Sequence, residues 1–302
     1  MKIVFMERMS LGEDVSLEKF DELGEVIVYD SGNDEENASR IQDADIVISN
    51  KILMNEQLLQ DCKKLKLICL TATGTNNVDF DYVNKKGIKV ANVKGYSTES
   101  VAQHTFAMLF YLYEQLAKYD EYVKSGEYAR ASMFSFFDYR FHELCGKTWG
   151  IIGLGNIGRR VAEIAMAFGC KIVYYSTSGQ NSSNEYERVE LDELLKRSDI
   201  VSIHSPLNSK TEDLISDKEL RLMKKTAVLL NLGRGRIVNE YALYNALINN
   251  EIAAAGLDVL SIEPIKTDNP LMKIKDSSKL FITPHIGWGT IEARQRCADE
   301  VA

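Results

Sequence analysis

The chain of 302 residues contains no apolar run long enough to span a bilayer; the strongest, around Phe106–Tyr113, falls far short. Its first residues, Met1-Lys2-Ile3-Val4-Phe5, lack a secretory-signal pattern and read as a first strand. No dense Lys/Arg cluster marks a nucleic-acid footprint. The charge balance is acidic, with 36 Lys and Arg against 44 Asp and Glu and a formal net charge of −8. Acidity of this kind favours solubility, and it obliges any anionic substrate to find a local cationic anchor. Histidine is sparse. Only His104, His142, His204 and His285 occur, and none share a metal-ligand spacing, so no metal centre is expected. The five cysteines, Cys62, Cys69, Cys145, Cys170 and Cys297, are odd in number and include no Cys-x-x-Cys. That pattern argues for unpaired thiols in a reducing, cytoplasmic setting.

What is present is the alternation of an α/β protein. The length suits two domains, and the 45% apolar share suits real cores. Short Val/Ile/Leu-rich runs at Lys2–Glu7, Glu25–Tyr29, Asp45–Ser49, Leu65–Leu70 and Lys89–Asn92 show no polar alternation and are predicted as strands buried on both faces. Helical segments such as Asn55–Cys62 and Asp79–Lys86 lie between them. A long helix is predicted from about Val101 to Lys124, since no Pro or Gly interrupts it. A second series begins at Gly146: strands at Lys147–Ile152, Lys171–Tyr175, Ile200–His204, Ala227–Asn231, Ala254–Asp258 and Leu280–Thr283, with helices at Asn156–Phe168, Asp192–Lys196, Asp217–Met223 and Glu240–Ile248. Right-handed crossovers then give doubly wound parallel sheets. Residues Ser125–Leu144 differ. They hold Tyr128, Met133, Phe134, Phe136, Phe137, Tyr139 and Phe141 with little periodicity, and exposed aromatics point to a subunit interface.

Three motifs carry chemistry. In Gly153-Leu154-Gly155-Asn156-Ile157-Gly158, between a strand and a helix, Gly153 permits a tight turn and Gly155 a close approach to a pyrophosphate. Gly158 permits close helix–strand packing. The free N–H groups of Gly155, Asn156 and Ile157 then face phosphates at a helix N-terminus. The following strand ends not in Asp or Glu but in Ser176, within Tyr175-Ser176-Thr177-Ser178. An acidic residue there would repel a 2′-phosphate, and the next basic residue is only Arg188. The cofactor is therefore NAD(H) or NADP(H), with the preference open. Asn231-Leu232-Gly233-Arg234-Gly235 sets a guanidinium at a strand end, where its planar fork can grip a carboxylate and a carbonyl oxygen. Pro284-His285-Ile286-Gly287-Trp288 supplies an imidazole as general acid, and Glu263, before Pro264, is placed to orient it. A carboxylate bonded to one ring nitrogen favours the imidazolium. His104 reads as core or interface, and His204, before Ser205-Pro206, as a neighbour of the cofactor. Trp288 reads as a pocket wall. Lys51 is open between reaching over a substrate and being a solvated loop lysine.

Together these motifs, with Gly-Leu-Asp-Val at 256–259, resemble the D-2-hydroxyacid dehydrogenase family over essentially the whole chain. The resemblance implies a Rossmann cofactor domain (98–289) inserted into a flavodoxin-like substrate domain (1–97 plus about 290–302). It implies Arg234, Glu263 and His285 as the catalytic trio, Asp258 near the nicotinamide amide, and Asn156 and Ile157 on the pyrophosphate, with Gly153, Gly155, Gly158, Ser176 and Pro206 completing the cofactor site. Thr73-Gly74-Thr75-Asn76-Asn77-Val78-Asp79 resembles the family's substrate loop, so the amides of Thr73 and Gly74 would hold the substrate carboxylate. Ser125–Leu144 falls where the family has its dimerisation arm, which implies a homodimer. Family members usually run past the equivalent of Ala302, inside the last helix. Glu7-Arg8, Ser10-Leu11-Gly12, Tyr96-Ser97-Thr98 and Val101-Ala102-Gln103-His104 are similar to glycerate dehydrogenases and hydroxypyruvate reductases. The implied partner is a small 2-oxo or 2-hydroxy acid, with neither nucleic acid nor membrane. Two rivals stand beside this reading. Formate oxidation is disfavoured because the family's formate enzymes pair their His with Gln, not Glu. A dinucleotide-sensing corepressor or scaffold would keep the trio as a relic, and turnover of any 2-oxo acid would separate it from an enzyme.

Overall fold

The computed structural model describes residues 1–302, in two compact units. The first comprises Met1–Ser97 and Trp288–Ala302, and the second, Thr98–Gly287, is inserted between those pieces. No helix is long and apolar enough to cross a membrane.

The first unit builds a five-stranded parallel sheet from β1 (Lys2–Phe5), β2 (Glu25–Val28), β3 (Ile46–Ser49), β4 (Leu67–Leu70) and β5 (Lys89–Asn92), with α1 (Asp34–Ile41), α2 (Glu56–Leu59) and α3 (Phe80–Lys86) between strands. The order β2-β1-β3-β4-β5 is that of flavodoxin-like folds, with its reversal between β1 and β3. Asn33, Asn55 and Asp79 cap the three helices, each accepting a bond from a backbone amide. The central strands are buried apolar runs, as expected. The edge strands β2 and β5 are not: both show exposed positions, and β5 alternates exposed and half-buried residues. An edge strand has a neighbour on one side only, which leaves Glu25 and Val28 of β2 and Lys89 and Ala91 of β5 exposed.

The second unit opens with α4 (Thr98–Tyr113) and α5 (Leu116–Lys124). The single helix predicted over 101–124 is therefore broken, at Gln115, which sits in the left-handed region with φ 53°. The two halves want different things. α4 buries Phe106, Met108, Leu109 and Leu112, whereas α5 buries nothing in the core. α5 instead carries Tyr119 and Tyr122 to the aromatic segment: Phe136 stacks on Tyr122 at 3.9 Å and Tyr139 meets Tyr119 edge-on at 5.4 Å.

The rest is β6 (Thr148–Ile152), α6 (Asn156–Ala167), β7 (Lys171–Tyr175), β8 (Glu187–Arg188), α7 (Leu191–Arg197), β9 (Ile200–Ile203), α8 (Asp217–Leu222), β10 (Val228–Asn231), α9 (Glu240–Ile248), β11 (Ala254–Leu257) and β12 (Leu280–Ile282). The seven parallel strands run β12-β11-β10-β9-β6-β7-β8, a doubly wound sheet reversing between β6 and β9. The two-residue strand β8 escaped the sequence reading because it lacks any apolar run. Strands β9, β10 and β11 are buried throughout. A final helix, Ile291–Val301, returns the chain to the first unit.

Candidate active site

The sheet order of the second unit fixes where its chemistry gathers. β10, β11 and β12 are successive neighbours, so the residues leaving their carboxyl ends emerge side by side. Arg234 follows β10, Asp258 follows β11 and His285 follows β12.

Asn231, fully buried, shapes the Arg234 turn: its Oδ1 accepts from Gly233 N at 3.1 Å and its Nδ2 donates to Arg234 O at 3.0 Å. Arg234 Nη1 donates to Gly233 O at 2.8 Å, which steadies the guanidinium while leaving other N–H groups of the fork. A Cβ on Gly235 would collide with the backbone of Leu260, so glycine there lets the arginine turn press against the loop that carries Glu263.

His285 Nδ1 lies 2.7 Å from Glu263 Oε2, and Glu263 Oε1 accepts from Leu260 N at 2.8 Å. The carboxylate is thus fixed at one oxygen and orients the ring with the other, directing Nε2 away from the pair. The His285 backbone sits at φ 55°, a left-handed conformation that an L-residue adopts only when its surroundings hold it there. Asp258 does the holding. Its carbonyl accepts from His285 N at 2.8 Å, and its carboxylate accepts from Ile286 N and Gly287 N, both at 2.8 Å. The Thr283 hydroxyl also donates to Asp258 Oδ1, at 2.7 Å. That hydroxyl has one hydrogen, so the 3.0 Å contact between His104 Nε2 and Thr283 is a bond donated by the histidine. Burial alone would raise the Asp258 pKa, but the bonds from His104, Thr283, Gly287 and Ile286 outweigh it and hold the carboxyl below its ordinary value. His104, expected as core or interface, is therefore part of the scaffold under the His285 loop. Asn231 and Thr283 went unassigned in the sequence because neither residue type announces a buried bridging role. Trp288, expected as a pocket wall, commits its ring to the first unit's core, edge-on to Tyr96 at 6.4 Å.

At the other side of the sheet reversal, the glycine loop has the geometry a dinucleotide needs. Gly153 has φ 95°, and a Cβ there would sit 2.9 Å from Ser205 N. A Cβ on Gly158 would strike Gly153 O, whereas one on Gly155 meets nothing within 4 Å. The N-terminus of α6 has no side-chain cap. Three buried polar atoms at the neighbouring strand ends also have no partner in the protein: Ser176 Oγ after β7, and His204 Nδ1 and Ser205 Oγ after β9. His204 Nε2 meets Ser202 Oγ at 3.0 Å, and Ser202 Oγ accepts from Trp149 Nε1 at 2.8 Å, so either ring tautomer leaves Nδ1 unpaired. Desolvation pulls the His204 pKa down to about 3 and keeps the ring neutral. Orphaned polar atoms in a buried setting are costly. Their convergence on an open glycine loop fits a polar ligand with phosphates and hydroxyls. Pro206 is exposed beside them, its carbonyl taking the Thr211 hydroxyl at 2.7 Å.

The loop after Ser176 has no acidic residue through Asn184. The basic groups that seemed absent in sequence arrive from neighbouring elements. Arg188, on β8, donates to Gly179 O at 3.1 Å, and Arg159, on α6, donates to Ser182 O at 2.7 Å. In the first unit, Thr73 and Gly74 follow β4, with Thr73 Oγ1 donating to Val93 O at 2.8 Å.

Comparison with known proteins accords with this geometry. The sequence pattern of the D-isomer specific 2-hydroxyacid dehydrogenase NAD binding domain matches residues 106–287. A hydroxypyruvate reductase of Blautia hydrogenotrophica is 40% identical over 306 residues, covering 99% of this chain and 94% of its own length. A glycerate dehydrogenase of Methylorubrum extorquens is 35% identical over 301 residues, covering 99% and 93%. The crystal structure of a D-lactate dehydrogenase from Aquifex aeolicus, with NAD and lactic acid, superposes with a TM-score of 0.85 at 29% identity, covering 99% of this chain and 92% of that one. The chain belongs to the D-isomer-specific 2-hydroxyacid dehydrogenases, NAD(P)-dependent oxidoreductases acting on the CH–OH group of their substrates.

Proposed function

We propose that the protein reduces a small 2-oxo acid: hydroxypyruvate to D-glycerate, or glyoxylate to the achiral glycolate. The observation that carries this reading is the His285–Glu263 pair beside the Arg234 turn. The reduced nicotinamide, when bound, supplies the hydride. Gly155, Asn156 and Ile157 hold its pyrophosphate on the uncapped α6 N-terminus, between Gly153 and Gly158, while Ser176, Pro206 and Asp258 border the rest. Arg234 binds the substrate carboxylate and polarises the carbonyl through its fork. In the first unit, the Thr73 and Gly74 amides are the candidates for holding a substrate carboxylate. His285, with Nδ1–H bonded to Glu263, donates the Nε2 proton to the carbonyl oxygen as negative charge develops there. The Blautia and Methylorubrum relatives, which align with nearly the full chain, support the substrate size.

The absence of a carboxylate after β7, with Arg159 of α6 and Arg188 of β8 both bonded to carbonyls of that loop, supports acceptance of NADPH as well as NADH. The apolar side chains of Met133, Phe134, Phe137 and Phe141, 53–85% exposed, support a homodimer that covers them. The five unpaired cysteines fit a cytoplasmic protein.

The test is turnover of hydroxypyruvate and glyoxylate, each with NADH and with NADPH, followed by chiral analysis of the glycerate formed from hydroxypyruvate. D-glycerate from hydroxypyruvate is expected. L-glycerate, or no oxidation of either coenzyme across a wider 2-oxo acid panel, contradicts the reading.

A further inference from the structure

In the first unit, one carboxylate organises the loop that follows β3. Glu7 leaves β1 at the point where the sheet order reverses, the place where open α/β sheets form their ligand crevice. Its Oε2 accepts four bonds, from Ser49 Oγ at 2.6 Å and from the backbone N–H groups of Asn50 at 2.7 Å, Lys51 at 2.9 Å and Ile52 at 3.2 Å. Three consecutive amides converging on one oxygen form an anion-binding concavity, filled here by the protein's own side chain. The carbonyls of the same stretch are held from the other side. Asn77 Nδ2 donates to Asn50 O at 3.3 Å and Ile52 O at 2.9 Å, and Asn77 O accepts from Met54 N at 2.7 Å. Asn77 belongs to the segment that begins with Thr73 and Gly74, so the clamp links the end of β1, the loop after β3 and the turn after β4 in one bonded unit. Lys51 and Leu53 are exposed on this loop, Leu53 to 56%.

We propose that Glu7 is a specificity-determining positioning residue: it fixes the Asn50–Leu53 loop so that the loop reads the side chain of the 2-oxo acid. This rests on the 2-oxo acid reading above. Glu7 touches no reacting atom in this role and acts through the loop. A side chain as small as hydroxymethyl is distinguished from hydrogen by a few contacts, which must be held in place to discriminate at all.

The experiment compares wild type with Glu7→Gln and Glu7→Ala, measuring kcat and KM for hydroxypyruvate and glyoxylate and following amide exchange at residues 50–52. Glu7→Ala is expected to lower kcat/KM for hydroxypyruvate about tenfold relative to glyoxylate, the size of effect one small group supplies in a pocket. Glu7→Gln, which keeps an acceptor oxygen without the charge, is expected to fall between. Exchange at Asn50, Lys51 and Ile52 is expected to be slow in the wild type and fast in Glu7→Ala. An unchanged ratio between the two acids, including equal losses on both, overturns the proposal. If the wild type reduces neither acid, the functional reading fails; the exchange data then still judge the clamp, and slow exchange that survives Glu7→Ala overturns it.

Discussion

His285 is held by bonds from both directions, Glu263 on its ring and Asp258 on its backbone, and that double support sets what each substitution does. His285→Gln removes the imidazole proposed as proton donor but leaves the turn, so turnover is expected to fall by about 10²–10⁴-fold, the usual worth of general acid catalysis. Arg234→Lys keeps the charge but loses the fork, and its main expected effect is a raised KM for the 2-oxo acid; an unchanged KM contradicts the carboxylate-binding role. His204 makes a different prediction. Its folded pKa, about 3, lies below the ordinary 6.5, so the unfolded chain takes up a proton first as pH falls. Stability is therefore lost as pH drops from 6.5 toward 3. The carboxylate of Asp258 contributes in the same direction only near and below its ordinary 3.8. Between pH 6.5 and about pH 4.5 the urea midpoint is expected to fall less steeply in His204→Gln than in wild type. Equal slopes contradict the buried neutral imidazole. The residues of the Arg234, Glu263 and His285 corner were picked out because Arg, His and Glu beside Gly and Pro stand out in a sequence. Asn231, Thr283, Ser205 and Glu7 were not: Asn231 acts by shaping the turn beside it, Thr283 and Glu7 meet groups remote in the chain, and Ser205 matters only because burial leaves its hydroxyl without a partner.

Elements were legible where a residue's own preference and its tertiary setting agree. β7 and α9 have the predicted bounds, and the central strands shift by one or two residues at their ends. The reading failed where packing overrides local preference. Nothing in Tyr111–Leu116 forbids a helix, yet α4 ends at Tyr113 because its apolar side chains belong to the core while α5 serves the aromatic segment. Gln115, at φ 53°, bears the cost of that change of direction, roughly 1 kcal/mol for an L-residue in the left-handed region. The junction of β6 and α6 has no such tolerance. A methyl on Gly158 would strike Gly153 O and lie 3.2 Å from Ile151 Cγ2. Gly158→Ala is expected to lower stability by about 1–3 kcal/mol, as overpacking does, and to weaken NADH binding by displacing the loop. A variant with wild-type melting temperature and coenzyme affinity contradicts this account of the junction.

At the scale of the whole molecule, the parallel fold class followed from the alternation of short apolar runs with helices. The flavodoxin-like order β2-β1-β3-β4-β5 was expected from the family resemblance and not from any single residue. The aromatic segment carries the most exposed large apolar side chains of the second unit. Phe136 and Tyr139 find partners on α5, but Phe134 and Phe137 remain 85% and 76% exposed. A stable dimer buries about 1,200–2,000 Å² in total, and sedimentation is expected to show two copies that separate in Phe134→Asp/Phe137→Asp; an unchanged sedimentation coefficient contradicts a role for this segment in assembly. The corner formed by Arg234, Glu263 and His285 is proposed to perform the proton transfer of 2-oxo acid reduction. The most direct measurement is paired, with NADH affinity by fluorescence and hydroxypyruvate turnover by loss of NADH absorbance, on wild type and His285→Gln. The account predicts equal affinities and a collapse of turnover in the variant. Near-normal turnover in His285→Gln would contradict it.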